Sequence, residues 1–91
     1  MDASSVALVT EVEALRRSQP ATALAQLEAG FSAALKRADA AGRGSLWRLR
    51  AHVLRSLRRA PEAATAYRRA AAWYAKAGEH CYKSADGRAA V

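Results

Sequence analysis

The sequence predicts an all-α protein made of antiparallel helical hairpins, about four helices followed by a short C-terminal segment. Three observations carry this reading. Apolar residues recur at helical spacing in four separate stretches, alanine supplies much of the 52% hydrophobic content, and a proline or glycine separates each stretch from the next.

Ser4 and Ser5 can cap a first helix, whose apolar residues Leu8, Val12 and Leu15 share one face, and the helix is expected to run from about Ser5 to Ser18. Pro20 suits the first turn of a second helix, where its missing N–H costs nothing; Leu24, Leu27, Phe31, Leu35 and Ala38 form its stripe. That helix is expected to end near Ala41 with Gly42 as a left-handed cap, leaving Arg43, Gly44 and Ser45 as the connection. Ser45 then caps a third helix with Leu46, Leu49, Val53 and Leu57 on its apolar side, stopping around Arg59. Pro61 and Glu62 open a fourth helix, lined by Ala63, Tyr67, Ala70 and Tyr74 and closed by Gly78. The chain thus divides into one domain over residues 1–91, with hairpins at 5–42 and 45–78 and a frayed tail at 79–91.

The second and fourth helices are internally similar. Leu27, Phe31, Ala34, Ala38 and Gly42 correspond to Ala63, Tyr67, Ala70, Tyr74 and Gly78 at one constant shift of 36 residues. The first and third match less cleanly, Leu15-Arg16-Arg17 meeting Leu57-Arg58-Arg59 only at a shift of 42, which asks for about two extra turns in the second helix. Trp47, Ala51, Leu54, Ala63, Tyr67 and Ala70 alternate large and small residues across a helix pair, the interlocking that dense packing requires. On these residues the segment from Leu46 to Gly78 resembles a tetratricopeptide repeat, and the whole chain two such repeats, the first degenerate. It departs from that pattern at Arg50, where leucine is usual, at Leu54, where tyrosine is frequent, and at Ala75, where a closing proline is common. Ala23 to Tyr74 also looks like the repeat arrays of large ATP-dependent bacterial transcription activators. The arrangement of Tyr67, Arg68, Tyr74, Ala77, Gly78, Cys81 and Tyr82 looks, more faintly, like helical adaptors that dock on membrane-fusion complexes. Each resemblance implies a scaffold that binds other proteins.

Fifteen Lys and Arg against eight Asp and Glu give a net charge of +7 and an isoelectric point near 10.5, so an anionic partner is the expectation. Arg48, His52 and Arg55 recur at helical spacing on the third helix, with Arg59 one turn further and Ser56 beside them. No acidic residue interrupts the stretch from Leu46 to Ala60. By resemblance this side of the helix lines the ligand groove, making Arg48, His52, Arg55, Ser56 and Arg59 the ligand-facing set for an acidic protein or peptide segment. The same pattern also describes a solvated face that keeps the protein soluble, and both readings stand at this stage. A nucleic-acid-binding or transcription-regulatory role, with the same arginines on phosphates, is the alternative. A helix-turn-helix is disfavoured because the fourth helix opens with Pro61, Glu62 and alanines, which read no base.

Two hairpins leave an apolar end uncovered, so a homo-oligomer or docking on a larger protein is expected, with Trp73, Tyr74 and Tyr82 at the assembly interface. Cys81 is the only cysteine, which points to a reducing, cytoplasmic setting; Met1 to Val12 lacks the basic flank of an export signal, and no apolar run spans a membrane. His80 and Cys81 are adjacent and so diverge on a helix, leaving no metal site. With no phosphate loop, nucleophile elbow or paired carboxylates, no cofactor and no enzymatic activity are expected.

Overall fold

The computed structural model describes residues Asp2 to Ser84, with side chains through Gly78. Four helices follow in order: α1 (Ala3–Leu15), α2 (Pro20–Arg37), α3 (Ala40–Ser56) and α4 (Ala60–Ser84). Among the described residues there is no strand, and no helix is long and apolar enough to cross a membrane.

Each helix begins where the chain offers its first amides a partner or needs none. Asp2 caps α1, its carboxylate accepting from the Ser5 N–H at 2.9 Å, so the cap is the aspartate and Ser5 is instead buried in the first turn. Pro20 stands in the first turn of α2 as the sequence predicts. The next boundary differs from expectation. α2 stops at Arg37, and Asp39 caps α3 by accepting from the Gly42 N–H at 2.8 Å, so Gly42 and Gly44 lie inside α3 and are buried. Arg43 bridges this junction, its Nε donating to the Leu35 carbonyl at 2.9 Å at the negative end of α2.

α3 ends in a Schellman arrangement. Arg58 takes the left-handed conformation at φ 59, its N–H donates to Arg55 at 3.0 Å, and the Arg59 N–H reaches back to Leu54 at 2.9 Å. α4 then runs without a break through Gly78, the expected end, to Ser84. The tail expected to fray from Glu79 is therefore helical in its first part, and residues 85–91 lie outside the described residues.

Paired residues run in opposite order along successive helices, which makes each neighbouring pair antiparallel. Arg37 approaches Asp2 and Gly30 lies against Leu8 between α1 and α2; Glu28 meets Arg50 and Phe31 meets Trp47 between α2 and α3. Tyr74 meets Gly44 and Tyr67 meets His52 between α3 and α4. α3 is central: among the described residues it packs against α1, α2 and α4, while α4 packs against α3 alone. Accordingly α3 supplies Leu46, Val53 and Leu54 of the five largest fully buried side chains, with Val12 from α1 and Leu27 from α2. The inner face of α4 is instead a line of alanines, Ala63, Ala66 and Ala70. Small side chains let the two axes approach closely, and Tyr67 and Trp47 seal opposite edges of the seam rather than filling its middle. This revises the predicted α4 stripe: Ala66 is in it, and Tyr74 is 36% exposed.

α2 begins seven residues before Leu27 and α4 three residues before the aligned Ala63, so the second helix carries about one extra turn at its start, where two were predicted. α1 and α3 lie side by side around a shared hollow. Val9, Glu13 and Arg16 line it on the α1 side, and Ser45, Leu49 and His52 on the α3 side. α1 ends at Leu15 and α3 at Ser56, 41 positions on, close to the shift of 42 read between the first and third helices.

Candidate functional site

The hollow between α1 and α3, about 270 Å³, brings His52 and Arg48 into one site with Arg16 and Glu13. Periodicity places Arg48, His52 and Arg55 on one side of α3, because residues four and then three apart recur on a helix face. Arg48 and Arg55 are exposed, and neither forms an ion pair among the described residues. His52 is half-buried between them and leans on α4: its ring stands edge-on to Tyr67, centroids 5.6 Å apart, with Nδ1 3.3 Å from the tyrosine hydroxyl.

Burial holds the His52 pKa below the ordinary histidine value of 6.5, and the positive charges of Arg16, Arg55 and Arg48 push it further the same way, with Glu13 acting in the opposite direction. The imidazole is therefore neutral near pH 7, able to accept from the Tyr67 hydroxyl at Nδ1 and to donate outward from Nε2. Three guanidiniums from two helices thus surround one neutral donor. Only Arg16 is compensated, by Glu13 at 3.3 Å.

Ser56 and Arg59 are placed differently. Ser56 is exposed and its hydroxyl donates to the His52 carbonyl at 3.1 Å, one turn back on its own helix. Arg59 does not continue the α3 face, because the helix has already ended at Ser56 and the left-handed Arg58 redirects the chain. It forms a fork-to-fork pair with Glu62 in the first turn of α4, at 2.7 and 2.6 Å. That hydrogen bonding raises the Arg59 pKa and lowers that of Glu62. Among the described residues the α3 arginine that meets a carboxylate is Arg50, 3.4 Å from Glu28 of α2.

Of the residues expected at an assembly interface, Trp73 is half-buried with Arg43 and Lys76 over its ring at 4.9 and 5.3 Å. Tyr74 lies against Gly44 and its hydroxyl is 3.2 Å from Ser45 Oγ. Both are engaged within the chain. Tyr82, with His80 and Cys81, falls outside the residues whose side chains are described. Among the described residues no group of three or more His, Cys, Asp or Glu is placed to hold a metal.

Sequence reasoning missed Arg16 and Tyr67 as neighbours of His52. Both come from other parts of the fold, and nothing local to α3 announces either. No family model matches the chain, and no curated protein and no solved structure is significantly similar to it.

Proposed function

We propose that this chain is a non-enzymatic interaction module, an adaptor that holds an acidic segment of another protein against the face formed by α1 and α3. The observation that carries the reading is the convergence of Arg16, Arg48 and Arg55 on the half-buried, neutral His52, with Glu13 as the one opposing charge. Uncommitted guanidinium forks beside a concave apolar floor of Val9 and Leu49 suit carboxylates, each of which an arginine can grip by two parallel hydrogen bonds. In this reading Arg48 and Arg55 hold carboxylates and His52 donates from Nε2. Ser56 lines the margin, and Arg59 joins only if ligand displaces Glu62.

Two stacked hairpins of the tetratricopeptide type form part of the same proposal. The offset of 36 residues between the second and fourth helices supports it, as does the alanine-lined seam between α3 and α4. A concave face between the first helices of successive hairpins is where such a scaffold would offer its ligand surface.

The test is titration with an acidic peptide and with duplex DNA at two salt concentrations, using wild type and the Arg48→Glu/Arg55→Glu variant. The module reading expects peptide binding that the double variant loses, with helicity by circular dichroism unchanged. Unchanged peptide affinity in that variant sinks it. Tighter binding to DNA, with affinity falling by about 0.9 log unit per log unit of salt for each phosphate neutralised, establishes the nucleic-acid alternative instead.

A further inference from the structure

The side of α3 away from His52 carries a second concavity. A groove of about 550 Å³ runs between α2 and α4, floored by Trp47 and Leu54 and walled by Phe31 and Ala66. Trp47 also lines an adjoining hollow of about 240 Å³ between Leu35 and Trp73, so the two form one trough. Its charge is graded along its length. Glu28 and Glu62 stand with Arg50 at one end, whereas Lys36, Arg43 and Arg69 line the other with no carboxylate among the described residues there.

The cations at that end are set against aromatic rings. Arg69 lies 5.0 Å over Trp47, and Arg43 and Lys76 lie 4.9 and 5.3 Å from the Trp73 centroid. Arg43 is fixed further by the bond from its Nε to the Leu35 carbonyl. A guanidinium stacked by its face keeps edge N–H groups free, and ordering it in advance removes part of the entropy lost when an anion binds.

We infer that this trough docks an acidic amphipathic segment of a partner protein, its apolar side chains resting on the half-buried Trp47 and the exposed Pro61 and its carboxylates meeting Lys36, Arg43 and Arg69. Charge complementarity selects this occupant. A second copy of the chain brings another +7 to a cationic end. A nucleic-acid strand fits poorly, because Glu28 and Glu62 repel phosphate where the trough continues. The site lies on different residues from the α1/α3 face and does not depend on it. With both occupied, the protein joins two acidic segments across α3.

Trp47 and Trp73 are the only tryptophans in the chain, and both line the trough, so intrinsic fluorescence reports on this site. The probes are a helical peptide with leucines at i, i+3 and i+7 flanked by glutamates, polyglutamate of equal length, and a single-stranded oligothymidylate. The amphipathic peptide is expected to shift tryptophan emission saturably. Affinity should fall at least about tenfold in Arg69→Glu/Lys76→Glu and change less than about twofold in Arg48→Glu/Arg55→Glu. Lys36→Glu, at the exposed margin, replaces the first variant should it lose helicity. No emission change, an equal response to polyglutamate, tighter binding of the oligonucleotide, or loss confined to the Arg48/Arg55 variant would each overturn the assignment.

Discussion

Tyr74 lies directly on the backbone of Gly44: a Cβ at that position would stand 2.9 Å from ring atoms Cδ1 and Cε1 and 3.2 Å from Cγ. Rotating the ring does not relieve the contact, because Cγ is at its root. Gly44→Ala therefore forces α3 and α4 apart and is expected to destabilise by about 1–3 kcal/mol. Inside an unobstructed helix the same change stabilises by up to roughly 1 kcal/mol. Gly78 supplies that control, since among the described residues nothing lies within 4 Å of its would-be Cβ. Urea unfolding should give opposite signs for Gly44→Ala and Gly78→Ala, and a stabilised Gly44→Ala removes the close approach from the account.

The same glycine shows what the sequence alone could convey. Four helices, Pro20 and Pro61 near helix starts, and most of the core positions of α2 and α3 follow from periodicity, which is a local property. Gly42 and Gly44 mark a loop by local rules, but Gly44 serves a ring 30 positions away and the actual boundary is set by Asp39. Likewise Arg48, His52 and Arg55 share a face because they share a helix. Arg59 left that face through a left-handed residue that is not glycine, and no local signal announced it. Arg50, which breaks the repeat pattern, is explained by α2, where it pairs with Glu28 at 3.4 Å and covers Phe31 at 5.3 Å.

The boundary between α2 and α3 gives its own test. Asp39→Ala removes the acceptor for the Gly42 N–H and should lower stability by about 1 kcal/mol, read as a shift in urea midpoint at constant slope. Asp39→Asn or Asp39→Ser keeps an acceptor and should avoid most of that loss. An Asp39→Ala variant as stable as wild type would move the helix start elsewhere.

Arg58 occupies the left-handed region at φ 59, where a Cβ is strained. Its position satisfies two carbonyls at the end of α3, so the conformation is worth keeping while the side chain is not. Arg58→Gly is expected to raise stability by about 0.5–1 kcal/mol in thermal or urea unfolding. Loss of stability on that substitution would mean that the arginine side chain itself holds the turn.

Ser5 is 2% exposed and its hydroxyl finds no hydrogen-bond partner among the described residues. A buried, unpaired hydroxyl costs free energy that an alanine avoids, and alanine is also the better helix former. Ser5→Ala should therefore stabilise by up to about 1 kcal/mol, with the Asp2 cap untouched because it uses the Ser5 backbone. Destabilisation by Ser5→Ala would show that the hydroxyl is satisfied after all.

His52 couples the proposed site to pH. It is faced by Arg16 and Glu13 from α1, Arg48 and Arg55 from α3, and Tyr67 from α4. Burial first, then the three arginines, hold its pKa below 6.5, so on acidification the unfolded chain takes up this proton before the folded one does. Stability from this group is thus complete above about 6.5 and is lost as pH falls through the depressed folded-state pKa. An acidic ligand reverses the local field and draws the pKa back up. By linkage, binding then takes up a proton and tightens between pH 7 and pH 5.5. NMR titration of the imidazole in a His80→Gln background, with and without acidic peptide, measures both the depression and its reversal. A free-state value at or above 6.5, or one that peptide leaves unmoved, would falsify the placement of carboxylates beside this ring.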